Sequence, residues 1–496
     1  MHETQRVAWN AGLMLAKQIV MAALSVMFVG YLARTVGVVA WGEFQASLAL
    51  VGIVSIIAGL GVRGYLAREV AVRPELGPQH LGSALLIRGL TGVVILGLAA
   101  GISMFTRSGA AQWLIPIAAA SQLATLLYTT MWLSFESHER FQYIVYVELG
   151  ARLFVLTTAS WCLAAGFGIV GAAIIFALGN VLELLLTYYF LRTRLYAPNW
   201  RAKYDDLVLI AKRSLPFGIV GALLGSVRQA DRVLVRWFGD ETAVGIFSAG
   251  WVLVEQLEVV SDLVFGAGFA AGMRLYARDP EGFVGLYQRA MIVAAALGLP
   301  LGAGLCLLAP DVIDLVYRNR GFAGAGRVLQ MQAWHIPATF AFHVASLPLV
   351  AGKREGYLGA VLLPGLLTIV VLDRILVPKF GAFGAALTTL IVSISALGAT
   401  LALTPSLART IPLQRIRAAV FATSSMALVV YFVRPLGGFW GAFAGGLTTY
   451  AALAFAFRLV TWVDLRGLWR PSKVPIGPDE HQPQQTDPAP PSGARG

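Results

Sequence analysis

The sequence predicts an all-α, polytopic membrane protein of about fourteen transmembrane helices, built as two parallel six-helix bundles with two further helices after them. Three observations carry this: scarce charge, recurrent apolar stretches and an internal repeat. Of 496 residues, 57% are hydrophobic and only 13% are Asp, Glu, Lys or Arg, against about 25% charged in an ordinary soluble domain. So few charges cannot coat the surface of a soluble chain of this length, and a soluble enzyme is excluded.

Crossing the hydrocarbon core takes about 20 mainly apolar residues. Such stretches run at 9–33, 42–62, 82–105, 112–133, 144–165, 168–191, 214–236, 243–270, 283–309, 328–351, 355–376, 380–404, 415–433 and 437–462. The first follows Arg6, contains Lys17 and lacks a following small-x-small cleavage site, so it reads as a retained span and not a signal peptide. Pro116, Pro216, Pro300, Pro337, Pro348 and Pro364 fall within spans and are expected to bend them. Small-x-x-x-small pairs such as Gly221/Gly225 and Gly298/Gly302 suit close helix contact in lipid.

Orientation follows from the basic residues in alternate connections. With the N-terminus cytoplasmic, the cytoplasmic side holds 23 Lys and Arg and the opposite side 9. That asymmetry places both termini in the cytoplasm and requires an even number of spans. It also accounts for the net charge of +12 without nucleic acid. The segments 63–81 and 192–213 are the largest connections, both basic. After Arg470 the chain turns to Pro, Gln, Asp and Ser, so 471–496 is expected to be a disordered cytoplasmic tail.

The chain repeats itself. Arg34-Thr-Val-Gly37 with Gly42-Glu-Phe44 recurs as Arg236-Trp-Phe-Gly239 with Gly245-Ile-Phe247, at offsets of 202 and 203. Phe167-Gly168-Ile-Val-Gly171 recurs as Phe380-Gly381-Ala-Phe-Gly384 at an offset of 213, and Tyr143 as Tyr357 at 214. Residues 1–200 and 201–408 are therefore expected to be like-oriented six-helix bundles, with 409–470 an addition of two helices. Two such bodies rocking about a shared site favour transport over catalysis.

A charge at mid-membrane costs roughly 2.5–3.5 kcal/mol on insertion scales, so it faces a cavity or a partner. Lys17, Arg88, Arg152, Arg228 and Arg232 form one set, expected to line a cavity that binds an anionic head group through forked guanidinium contacts. The alternatives are snorkelling for Lys17 and Arg88, and pairing on one helix for Glu148 with Arg152 and for Asp231 with Arg228. Glu183 adds a further buried acid. Asp231, Glu255, Glu258 and Asp262 form the second set, the last three at i, i+3 and i+7 on one helix face. That face either holds a coupling proton or sodium ion, or receives the arginines of the preceding span.

Other motifs carry no chemistry. Gly59-Leu-Gly61-Val-Arg-Gly64 satisfies the dinucleotide pattern but ends an apolar span, so its glycines are expected to serve a helix end. Gly352-Lys353 lacks the remaining P-loop residues, and Cys162 and Cys306 sit in apolar stretches. His335 and His343 read as packing or a polar cavity wall. No metal site, catalytic residue or resident cofactor is expected.

Asn10, Tyr31-Leu-Ala-Arg34-Thr-Val-Gly37, Trp41-Gly42-Glu-Phe44, Gly59-Leu-Gly61 and Arg68 resemble the polysaccharide-biosynthesis flippases. Leu215-Pro216, Asp231, Val244-Gly245-Ile-Phe247-Ser-Ala249 and Gly381-Ala-Phe-Gly384-Ala-Ala386 extend the likeness into the second half. These are the O-antigen-type transporters of the multidrug/oligosaccharidyl-lipid/polysaccharide exporter superfamily, whose fold is that of the multidrug (MATE-like) exporters. The resemblance implies a bacterial inner-membrane flippase that moves undecaprenyl-pyrophosphate-linked oligosaccharide by alternating access, with ion coupling, for O-antigen, capsule or exopolysaccharide. Its partners would be that lipid-linked substrate, membrane lipids, and a polysaccharide polymerase and glycosyltransferases. A drug or metabolite antiporter or a lipid II flippase of the same superfamily is the alternative, and an integral-membrane glycosyltransferase or ligase a remote one.

Overall fold

The structure is a computed structural model that describes the backbone of residues 3–72, 77–106, 109–200, 204–318, 321–352 and 354–459. The side chains of Asn10, Arg68 and Asp262, and the tail expected at 471–496, lie outside the described residues. The described chain is helical throughout: α1 (Glu3–Ala58), α2 (Val62–Val72), α3 (Gly77–Thr106), α4 (Ala110–Ser137), α5 (Phe141–Ala164), α6 (Gly168–Arg194), α7 (Tyr204–Phe238), α8 (Glu241–Arg278), α9 (Pro280–Tyr317), α10 (Ala325–Gln332), α11 (His335–Ala351), α12 (Glu355–Phe380), α13 (Ala382–Leu403), α14 (Pro405–Ala408) and α15 (Leu413–Ala456).

Among the described residues ten helices are long and apolar enough to cross a membrane, or eleven when the bent pair within α7 is taken as one span. The expected count of about fourteen differs from this for an identifiable reason. α1 and α15 are each two helices joined at a non-helical glycine, Gly37 (φ 83°) and Gly438 (φ 62°). A continuous helix of 44 residues like α15 would measure ~66 Å, twice a hydrocarbon core of ~30 Å. The stretch expected at 328–351 is also interrupted, at Ala333 and Trp334, between α10 and α11.

The repeated segments occupy matching junctions. Gly37 breaks α1, and Gly239 lies between α7 and α8. Gly168 opens α6 and Gly381 precedes α13, both with positive φ (64° and 56°), a conformation that favours glycine because it lacks a Cβ. In the first half α4 packs on α3 and α6, and α5 on α6; in the second, α12 packs on α7 and α13, and α11 on α8, α9 and α13. The two halves meet where α1 packs on α7 and α8 and α2 on α7, while α15 lies against α9.

Large apolar side chains such as Leu90, Leu98, Ile102 and Phe105 of α3 and Leu428, Phe432 and Leu436 of α15 point outward. In lipid that outward face is solvated by acyl chains, so it needs no protein cover. The chain is a multi-pass membrane protein.

Two close approaches hold the halves together. At the end reached by Gly37 and Gly239, Gly42 meets Gly245: a methyl on Gly42 would fall on the Glu241 carbonyl, and one on Gly245 on the Val38 carbonyl. Around this contact one apolar cluster spans both halves, including Leu32, Trp41, Phe44, Val244, Phe247 and Tyr317. At the opposite end α7 bends by 46° between Ile219 and Gly221, just after Pro216, where the missing N–H and the ring clash loosen the helix. The bend brings Gly218 against the left-handed turn at Leu60 (φ 48°) and Gly61 (φ 69°).

Candidate functional site: an arginine-lined chamber and a buried polar chain

Beside the Gly61–Gly218 contact lies a cavity of about 250 Å³ between the halves. Its wall includes Ser55, Gly59, Arg63, Arg88, Thr129 and Phe217, and no carboxylate. Arg88 is buried, donates to Thr130 Oγ1 at 2.5 Å, and stands against Gly59. Arg63 binds Glu136 at 2.9 Å outside the wall, and is near enough to Arg88 for the two charges to repel. The glycine run that mimics a dinucleotide motif thus forms the tight turn that lets α7 approach and leaves room for the Arg88 head.

Of the five cations expected in a common cavity, three are engaged with carboxylates. Lys17 Nζ lies 2.8 Å from Glu148 Oε2, so Glu148 takes a partner from α1 and not Arg152 from its own helix. Arg228 pairs with Glu258 at 3.1 Å, and Arg232 with Glu255 at 2.7 Å. The acidic face of α8 therefore receives the arginines of α7, one of the two readings open from the sequence. Trp251 Nε1 also donates to Glu255 at 2.9 Å. Arg88 and Arg152 are the two of the five with no ion pair among the described residues, and Arg152 lines a separate pocket within the first half.

In the second half the polar groups form a chain. His335 Nε2 lies 2.6 Å from Glu258 Oε1, and its other ring nitrogen reaches Ser393, whose hydroxyl donates to the Thr389 carbonyl. The Thr389 hydroxyl donates to Asp231 Oδ2 at 2.9 Å. Asp231 is thus held by α13 and not by Arg228 on its own helix. Its Oδ1 has no hydrogen-bond partner among the described residues, and it lies close enough to Asp373 for their charges to interact. Asp373 is fully buried, at 0% exposure, on α12.

Sequence reasoning missed Asp373, which lies only three residues before the end of the span expected at 355–376, where a charge is ordinary. It also placed Arg63 outside the cavity. The available signal was chain position: Arg63 lies two residues after Gly61 and Asp373 eight before Gly381, each near a glycine-marked helix end.

A family profile described as "Polysaccharide biosynthesis protein" matches residues 7–262. No curated protein matches the chain at a significant level. Among solved structures, the lipid II flippase MurJ in an inward closed conformation superposes with a TM-score of 0.74 at 15% identity, covering 91% of this chain and 99% of that one. An inward-facing multidrug resistance MATE family transporter gives 0.59 at 18%, covering 81% and 98%. A superfamily transporter from Pyrococcus furiosus, described as having a binding pocket of reverse polarity, gives 0.58 at 16%, covering 82% and 96%. At these identities the likeness is one of fold, and the profile match, which spans more than half of the sequence, assigns the family: the chain belongs to the polysaccharide biosynthesis protein family.

Proposed function

We propose that this protein is a transporter, not an enzyme, and that it flips undecaprenyl-pyrophosphate-linked oligosaccharide across the bacterial inner membrane, with both termini cytoplasmic. The observation that carries this reading is the chamber in which Arg63 and Arg88 repel each other across a wall without carboxylates. Arg88, buried and without an ion pair, is stabilised by an anion that also reaches the half-exposed, Glu136-paired Arg63, and a pyrophosphate offers the oxygens for forked contacts. A lipid-linked substrate suits a site that opens at the seam between two bundles, since its tail stays in the bilayer while the head crosses.

The coupling ion, a proton or sodium, is assigned to Asp231 and Asp373 with the Thr389 hydroxyl. Two buried carboxylates near each other cannot both stay ionised without a shared cation, and unclaimed oxygens face that role. The Glu258–His335–Ser393 chain links this pair to the Arg228 contact between α7 and α8, so ion binding bears on how those helices meet.

A cationic drug antiporter would need an acidic cavity, and here the α8 glutamates are neutralised by Arg228 and Arg232. Lipid II carries the same type of pyrophosphate head, and the family match favours polysaccharide precursors over it.

The test is transfer of a fluorescent polyprenyl-pyrophosphate oligosaccharide between leaflets of liposomes containing the purified protein. Transfer by the wild type and its loss in Arg88→Gln are expected. Absence of transfer, together with uptake of cationic dyes, overturns the reading.

A further inference from the structure

A second cavity lies wholly inside the first half, walled by α4, α5 and α6, with a volume of about 220 Å³. That is the space of roughly seven water molecules at ~30 Å³ each, which suits one sugar ring and not a chain of them. Gln122 and Thr125 belong to the walls of both this pocket and the arginine chamber, so the two are neighbours across one helix face.

Its chemistry is unlike that of a closed structural cluster. Arg152 makes no hydrogen bond or ion pair among the described residues, although the buried Glu183 is near enough to feel its charge. Tyr128 hydrogen-bonds to Glu183, and Asn180 donates to Ser121 Oγ at 2.6 Å. The indole N–H of Trp132 is buried without a hydrogen-bond partner among the described residues. Its ring lies 5.0 Å from that of Tyr128. A buried donor left unpaired costs roughly 1–3 kcal/mol, so an unsatisfied indole N–H beside an unpaired guanidinium and an accepting carboxylate marks a place where a ligand supplies the missing partners. Hydroxyls that both donate and accept, on a ring with an apolar C–H face, meet all these demands together. The hydroxyls bridge Arg152 and Glu183 and accept from the Trp132 indole N–H, and the C–H face lies against the Tyr128 ring.

We propose that this pocket is a sugar-ring site that reads the pyrophosphate-proximal sugar while the pyrophosphate rests on Arg63 and Arg88. This deepens the flippase reading and rests on it. One site then grips what every substrate shares, and the other distinguishes glycans.

The test uses the full-length protein in lipid nanodiscs and two kinds of probe: farnesyl pyrophosphate, and farnesyl pyrophosphate carrying glucose, galactose, N-acetylglucosamine or glucuronic acid. At least one sugar-bearing probe is expected to bind the wild type tenfold or more tightly than the bare one. In Arg152→Gln, Glu183→Gln and Tyr128→Phe that preference is expected to shrink at least fivefold, while bare-probe affinity stays within twofold and reports that each variant is folded. A wild type that binds the bare probe but prefers none of the sugars overturns the sugar site alone, as do variants that keep the full preference. If neither kind of probe binds the wild type, the flippase reading falls and takes the sugar site with it.

Discussion

Gly42 and Gly245, equivalent positions of the internal repeat 203 residues apart, pack against each other at the junction of the two halves. Each meets backbone of the other half: Gly42 the Glu241 carbonyl, Gly245 the Val38 carbonyl. Mutual contact between corresponding positions is how a two-fold interface closes on itself. Any opening at this end must separate the two glycines.

The first prediction concerns this contact. Gly42→Ala and Gly245→Ala insert a methyl against backbone that cannot rotate away, and overpacking of this kind costs roughly 1–3 kcal/mol. The closed arrangement should lose about 5- to 150-fold in population against one open at this end, on the basis of about 1.4 kcal/mol per tenfold change. Spin-label distances between the loops near Gly37 and Gly239 would report the shift. Gly97→Ala is the control, because nothing lies within 4 Å of a methyl there. Unchanged distances in both variants contradict the role of this contact in closing that end.

Arg232 and Arg228 differ in burial, with side-chain exposures of 7% and 54%. Arg232→Ala leaves Glu255 with only the Trp251 indole N–H, and because Glu255 is partly exposed the loss stays below the roughly 3–5 kcal/mol of a fully buried pair, so a drop in thermal midpoint and membrane abundance is expected. Arg228→Ala should leave abundance near wild type, because Glu258 keeps His335. Glu255→Gln combined with Arg232→Gln is expected to recover most of the stability. If the double variant is as unstable as Arg232→Ala, the pair is not the cause.

Replacing either member of the carboxylate pair removes a buried charge that lacks full hydrogen bonding. Asp373→Asn and Asp231→Asn are each expected to abolish stabilisation by sodium, or by lowered pH if the ion is a proton, and to leave transport insensitive to an imposed ion gradient. Differential scanning fluorimetry across sodium concentration and pH separates the two ions. Retained ion-dependent stabilisation in both variants removes the site from these residues.

Arg88→Gln keeps a donor for Thr130 but loses the charge. Charge-assisted hydrogen bonds contribute about 1.5–3 kcal/mol, so affinity for a lipid pyrophosphate should fall roughly 10- to 150-fold with little change in melting. Arg88→Lys is expected to recover part of it, as a point charge without the fork. Isothermal titration with farnesyl pyrophosphate measures both.

How far the sequence could be read depended on which residues had to be compared. Span positions and the recurrence of the Gly37 and Gly168 segments at Gly239 and Gly381 come from neighbours along the chain or from a short motif found twice. The partners of the charges do not. Lys17 finds Glu148 at a separation of 131 residues, and Asp231 finds Thr389 at 158. Glu148 and Asp231 each had an opposite charge three or four residues away on their own helix, Arg152 and Arg228, and neither pairs with it.

From the sequence alone follow a membrane-embedded helical chain, a duplicated layout and a set of charges that lipid will not tolerate, because hydropathy and helix breaking are local sums over adjacent residues. Only the folded molecule decided that Lys17, Arg228 and Arg232 are neutralised while Arg88 and Arg152 are not, and that Asp373 joins Asp231. Those outcomes depend on the rotation of each helix about its axis, which is set by packing against helices a hundred or more residues away.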